Sequence, residues 1–171
     1  MLRTRLIQGF GIEADQTLDG ILSKVNVVGN NFALSNADVM TALKNSSASM
    51  AAANATFEET VALITAGQEI AQDSSKVGNA LRTISMRIRG MNEETQELDG
   101  SLQTIGGDVY DLTNGKVSIM LDPETYKSPY KILQEISHVW DELTDVQHAE
   151  LAEKLFGKNR ADICPHTQKC A

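Results

Sequence analysis

The way helix starts are written constrains this chain more than any other feature. Ser35, Thr56, Ser128 and Thr144 each stand just ahead of a run of apolar residues with helical spacing, the place where a short polar side chain caps free backbone amides. Thr56-Phe57-Glu58-Glu59 and Thr144 with Gln147 have the capping-box spacing. In that arrangement the hydroxyl and the side chain three residues on satisfy each other's amides. Ser128 is followed by Pro129, whose fixed φ and missing N–H suit the first helical position. A chain restarted this often folds as several separate helices, so a mainly α architecture is expected.

The apolar residues agree. Leu18, Ile21, Leu22, Val25 and Val28 share one helical face, stopped by Gly29-Asn30-Asn31. The helix opened by Ser35 runs toward Asn54, and its later part, SSASMAAANA, permits close packing while burying little area. Thr56 opens a helix with Phe57, Val61 and Ile64 on one stripe. After Asp73-Ser74-Ser75, Val77, Leu81, Ile84 and Ile88 recur at near-heptad, coiled-coil-like spacing up to Gly90, and Arg82 and Arg89 are expected to face water on the other side. Aromatic side chains are only 5% of the residues, so the core must come from many modest aliphatic contacts.

Asn92 to Leu102 is polar and acid-rich, with weak helical periodicity, and reads as a linker closed by Gly106-Gly107. Val109, Tyr110 and Leu112 before Asn114-Gly115, and Val117, Ile119 and Leu121 after it, alternate as strands do, which predicts one small β-hairpin near 109–121. Beyond Ser128, the residues Ile132, Leu133, Ile136, Val139, Trp140 and Leu143 form a wide stripe on the chain's strongest helix. Ile132, Ile136, Val139, Trp140 and Leu143 are the candidate packing or partner face. A last helix, opened by Thr144, ends near Phe156 with Gly157 as its stop.

A net charge of −8, from 23 acidic and 15 basic residues, disfavours direct nucleic-acid binding, whose affinity comes from Lys and Arg neutralising phosphates. No apolar run approaches the roughly 18 to 20 residues that cross a bilayer. Gly9-Phe10-Gly11-Ile12-Glu13-Ala14 has the loose form of a dinucleotide fingerprint, but it lacks a preceding buried strand and reads as a helix-breaking turn. Cys164, His166 and Cys170 lack the fourth ligand and paired spacing of a structural zinc site and read as a disordered or read-through tail. His138 is expected in solvent and His148 at a boundary. The neighbouring acids Glu93-Glu94 and Asp141-Glu142 diverge by about 100° on a helix and read as surface. No hydrolase, nucleotide-loop or calcium-loop motif is present, so no catalytic, cofactor-binding or metal-binding residue is assigned.

Three stretches carry a family likeness: VNVVGNNFALSNADVMTALKNSSASMAAA, FEETVALITAGQEIAQDSSKVGNALRTISMRIRG and DLTNGKVSIMLDPETYKSPYKILQEISHVWDELTD. Their order resembles the core region of phage tail tape measure proteins, the phage-related minor tail protein family. The specific parts are Gly29-Asn30-Asn31-Phe32-Ala33, Val77-Gly78-x-Ala80-Leu81-Arg82-Thr83-Ile84 and Trp140-Asp141-Glu142-Leu143, and the likeness runs to about Ala161. It implies a structural virion component of a long-tailed phage or prophage, a template for tail tube assembly and tail length. The tail tube protein and tail assembly chaperones are the implied partners. The implied location is the tube lumen after assembly and the host cytoplasm during synthesis. No active site or cofactor comes with the resemblance.

On this reading residues 1–105 form a helical tape measure core segment, 106–160 a hairpin with two helices, and 161–171 a disordered or aberrant tail. Even as one continuous helix the chain would reach only about 250 Å, and the tail after Ala161 reads as a frameshift or early stop. A truncated fragment is therefore expected, with the Val77, Leu81, Ile84 and Ile88 stripe short of cover and driving self-association. Two other readings stay open: a freestanding cytoplasmic helical adaptor and, more remotely, an enzyme with an unrecognised site. Genome neighbourhood separates the first from the tail reading, and measurable turnover would identify the second.

Overall fold

The computed structural model describes Phe10, residues 35–92 and residues 95–157. The Leu18–Val28 stripe, Gly29-Asn30-Asn31, the Gly9–Ala14 turn apart from Phe10, Glu93-Glu94, and the tail with Cys164, His166 and Cys170 lie outside the described residues. Within them the chain is mainly α, with six α-helices and one two-stranded antiparallel sheet. In chain order these are α1 (Asn36–Ala52), α2 (Phe57–Ala71), α3 (Ser74–Arg87), α4 (Ile105–Leu112), β1 (Met120–Asp122), β2 (Thr125–Tyr126), α5 (Pro129–Val139) and α6 (Asp145–Phe156).

The caps form where the local sequence places them. Thr56 Oγ1 accepts from the Glu59 amide at 3.1 Å and the Glu59 carboxylate accepts from the Thr56 amide at 3.0 Å, closing the box that starts α2. Thr144 and Gln147 repeat it at α6 (3.3 and 2.9 Å). Ser128 accepts from the Lys131 amide ahead of Pro129 at the start of α5. At α1 the cap reaches further. The Asp38 carboxylate accepts from Ser35, completing a box, and also from the Ser74 hydroxyl at 3.0 Å, so one side chain joins the N-termini of α1 and α3.

Two apolar clusters share α3. Val39, Ala42, Leu43 and Met50 of α1 meet Phe57, Val61 and Ile64 of α2 on one side, with Val77 and Leu81 contributed by α3. Ala80 and Ile84 of α3, with Ile88 just beyond it, face the other cluster, built from Ile105 and Val109 of α4, Val117, Ile119, α5 and α6. Val77, Leu81, Ile84 and Ile88 are therefore all buried, at 1%, 5%, 0% and 2% exposure. The stripe expected to lack cover is split between two clusters of the same chain.

Contact between α1 and α3 requires Gly78. A Cβ there would lie 2.6 Å from the Ala42 carbonyl oxygen and 2.9 Å from its Cα, both backbone atoms that cannot rotate away. The Ala- and Ser-rich end of α1 continues the close seam, with Ser85 Oγ donating to Leu81 O at 2.6 Å and lying 3.0 Å from Met50 Sδ. The second cluster is tied by polar contacts to helix ends. Arg87 Nε donates to Lys154 O at 2.8 Å at the C-terminus of α6, Lys154 pairs with Asp108 at 2.7 Å, and Gln147 Nε2 donates to Leu112 O at 3.0 Å.

The hairpin lies further along the chain than its alternation suggested. Val109, Tyr110 and Leu112, read as a strand, belong to α4, and Gly106-Gly107, read as the close of a linker, lie inside it. Asn114-Gly115 ends that helix instead of turning a hairpin. Asn114 and Gly115 both have positive φ (54° and 77°), and the amides of Asn114 and Gly115 return to Asp111 O (3.1 Å) and Tyr110 O (2.7 Å), the double bond of a Schellman stop. The two strands pair across Pro123-Glu124, Met120 with Tyr126 and Asp122 with Thr125, and Leu121 is the extra residue of an irregular register. Residues 95–102 carry turns, and Leu98 pairs with Met91 in an isolated antiparallel bridge. The strongest predicted helix stops at Val139 and tightens into a 3-10 turn over Trp140–Glu142.

Two outcomes follow from this packing. Gly78→Ala is expected to lower stability by about 1–3 kcal/mol in chemical denaturation, the overpacking cost exceeding the gain in helix propensity. Gly107→Ala, with nothing within 4 Å of the added carbon, is expected to raise stability by about 0.5–1 kcal/mol. Equal effects at the two sites would contradict the close approach. The second concerns Asp38, whose hydrogen bonds from Ser35 and then Ser74 hold its carboxyl below the usual value against a smaller opposing effect of burial. A depressed folded-state pKa stabilises above the unfolded-state value, near 4, and that stabilisation is lost as pH falls through the folded one. The stability gap between the wild type and Asp38→Asn should be full at pH 7 and shrink below about pH 4; a gap independent of pH would remove Asp38 from the account.

Candidate functional site

The stripe singled out on α5 turns inward. Ile132, Ile136, Trp140 and Leu143 are buried at 0%, 3%, 7% and 8% exposure, and Val139 packs half-buried against them. The i, i+4 spacing of Ile132 and Ile136 sets this face, and the 3-10 turn carries Trp140 round to the same cluster. His148 of α6 stacks on Trp140, with ring centroids 4.1 Å apart and planes 9° from parallel, and its Nε2 lies 2.9 Å from Trp140 O. His148 is thus the half-buried boundary residue and His138 is exposed. Asp141 and Glu142 are exposed, Glu142 pairing with Lys116.

The described residues line two concavities that bear on function. The first, about 280 Å³, lies between α2, α3 and α5 and is almost wholly apolar, lined by Leu63, Ile70, Ala80, Tyr130 and Leu133 among others. The second, about 570 Å³, follows the seam between α1 and α3 and is polar. Lys44 from α1 and Arg82 from α3 line it together with Arg89, and among the described residues no carboxylate does. Its cations stand out against the acidic balance of the whole chain.

Arg89 is not simply a solvent-facing residue. Its guanidinium carbon lies 5.6 Å from the centroid of the Tyr126 ring, a cation–π distance. Burial pushes its pKa down, against an opposing effect of Tyr126. Its Nε is buried and has no hydrogen-bond partner among the described residues. The helical pattern of α3 could not reveal this, because Tyr126 comes from a strand distant in sequence. Asn54, at φ 62°, donates to Tyr126 O at 3.2 Å and fixes the same strand against the end of α1.

The other perturbed groups belong to caps and turns. Asp99 is held below the usual carboxylate value by the hydroxyl and amide of Ser101, and Asp122 by the Glu124 amide and Thr125. With Asp38 they stay ionised, which makes them poor general bases, and none of them lines either concavity. Among the described residues, no group of three or more His, Cys, Asp or Glu could hold a metal ion, and no helix is long and apolar enough to cross a membrane. Among the described residues, one groove is apolar and the other is lined by cations.

No solved structure gives a significant match to the chain. A family model described as phage-related minor tail protein matches residues 2–157, which takes in every described helix and both strands. The chain belongs to the phage-related minor tail protein family.

Proposed function

We propose that the chain is a structural component of a phage tail and acts there as the core region of a tape measure protein, templating assembly of the tail tube and setting its length. The observation that carries the reading is the family match over residues 2–157. It is supported by a domain whose perturbed carboxylates are all explained by caps and turns, and whose open surfaces are suited to binding other chains. Function in this reading lies in helical surfaces and their contacts with the tail tube protein and tail assembly chaperones, within the tube lumen of the virion. Folded, the longest described helix, α1 with 17 residues, spans only about 25 Å; as one continuous helix residues 35–157 would span about 185 Å. The segment therefore contributes to length in its extended form.

An in-frame deletion of residues 35–157 in the phage or prophage gene, followed by electron microscopy of the particles, tests this. Tails shortened by up to about 185 Å, or abolished, are expected, and duplication of the segment should lengthen them. Tails of unchanged length and number would overturn the length-setting role.

A further inference from the structure

The apolar groove leaves aliphatic surface uncovered beside the core. Leu63 and Ile70 of α2 and Tyr130 and Leu133 of α5 line it, with the buried Val77 and Ala80 of α3 at its base. Ile70 leaves 47% of its surface in solvent, and among the described residues no charged side chain lines the groove. The chain also carries a matching stripe: Leu18, Ile21, Leu22, Val25 and Val28 share one helical face by their spacing. That stripe lies outside the described residues, but both of its flanks are placed. Phe10 meets Phe57 edge to face, with ring centroids 5.8 Å apart, at the N-terminal end of α2. Ser35 bonds to Asp38, whose carboxylate also accepts from Ser74 at 3.0 Å, which sets Ser35 where α2 gives way to α3. Residues 11–34 therefore travel the length of α2, about 22 Å, in the direction in which α2 itself runs. A helix over residues 18–28 covers about 16 Å of that path, and the rest of the segment is long enough to join it at both ends.

We propose that the groove between α2, α3 and α5 is the docking site of residues 18–28 of the same chain, seated there as a helix with its aliphatic stripe inward. Running parallel to α2, the segment brings its Leu22–Val25 end to Ile70, and burial of the stripe against Leu63, Ile70 and Leu133 removes both apolar surfaces from water. A second copy or a helix of another protein is the weaker occupant. A segment tethered at both ends competes at an effective concentration of about a millimolar. The family match begins at residue 2 and so takes in the segment together with the helices that form the groove. While the segment is seated, the apolar groove is closed to other chains, and the polar groove between α1 and α3 is the one left for them. The pairing does not depend on the tape measure reading.

Disulfide trapping in the whole chain provides the test. In a Cys164→Ser, Cys170→Ser background, Ile70→Cys is combined in turn with Leu22→Cys, Val25→Cys and, on the opposite face of the segment, Ser23→Cys. Under mild oxidation the Leu22 and Val25 pairs should close within one chain roughly tenfold or more faster than the Ser23 pair, because only they bring the two Cβ atoms close enough. Hydrogen exchange on the unaltered protein gives a second readout: amides of residues 18–28 should be protected. Ile70→Lys, which puts a charge into the groove from a half-exposed position, should speed their exchange roughly tenfold or more while α3 and α6 keep theirs. Circular dichroism checks that the variants stay helical; should Ile70→Lys unfold, the trapping result decides. Disulfides formed between chains would put a second copy in the groove and overturn the proposal. Equal closure at Ser23, unprotected amides over residues 18–28, or protection indifferent to Ile70→Lys would each overturn it as well.

Discussion

The close approach of α1 and α3 at Gly78 is the contact on which the rest of the fold depends. Without a Cβ at that position the backbone of α3 reaches the Ala42 carbonyl of α1, and the small residues along α1 extend the seam. Two helices this close leave α3 two flanks to fill. One flank, with Val77 and Leu81, receives α2, and the other, with Ala80 and Ile84, receives α4, α5 and α6. The Asp38 bridge from the Ser35 cap to Ser74 fixes the same pair at its N-terminal end. Helix α3 is thereby the shared wall of both clusters, and its placement sets that of every other element.

This arrangement decides what is left for function. Most of the apolar residues that give α3 and α5 their amphipathic character are buried inside the chain, Leu133 and Ala80 also edging the apolar groove, and Trp140 is covered by His148. The same seam that buries the aliphatic faces leaves the polar edges of α1 and α3 as walls of the cationic groove. For a member of the minor tail family an open groove of this kind is contact area for another chain.

Helix starts were legible because capping is local: a hydroxyl and a carboxylate or amide three residues apart settle the geometry by themselves, as Thr56 with Glu59 and Thr144 with Gln147 do. Misreadings arose where one local signal serves two structures. Asn114-Gly115 supplies positive φ, which a two-residue hairpin and a Schellman stop both require; the choice fell to Thr113. This buried residue accepts from the Val117 amide at 3.1 Å and donates to Val109 O, so the chain leaves the helix without returning as a paired strand until Met120. Gly106-Gly107 concealed α4 because glycine lowers helix propensity, whereas Ile105 and Val109, four apart and both buried, supply the packing that overrides it. Arg89 was read as solvated because its partner, Tyr126, is supplied by tertiary structure alone. The family was legible from the order of whole segments, and the groove was not, since its cations come from separate elements.

The account makes α3 the coupling element between the two clusters, and native-state hydrogen exchange tests that most directly. The slowest amides of α1, α3 and α6 should share a single opening free energy, equal to that of global unfolding. If the amides of α1 and α2 opened at a clearly lower free energy while α3 and α6 kept the global value, the clusters would be independent and the Gly78 contact would not organise the fold.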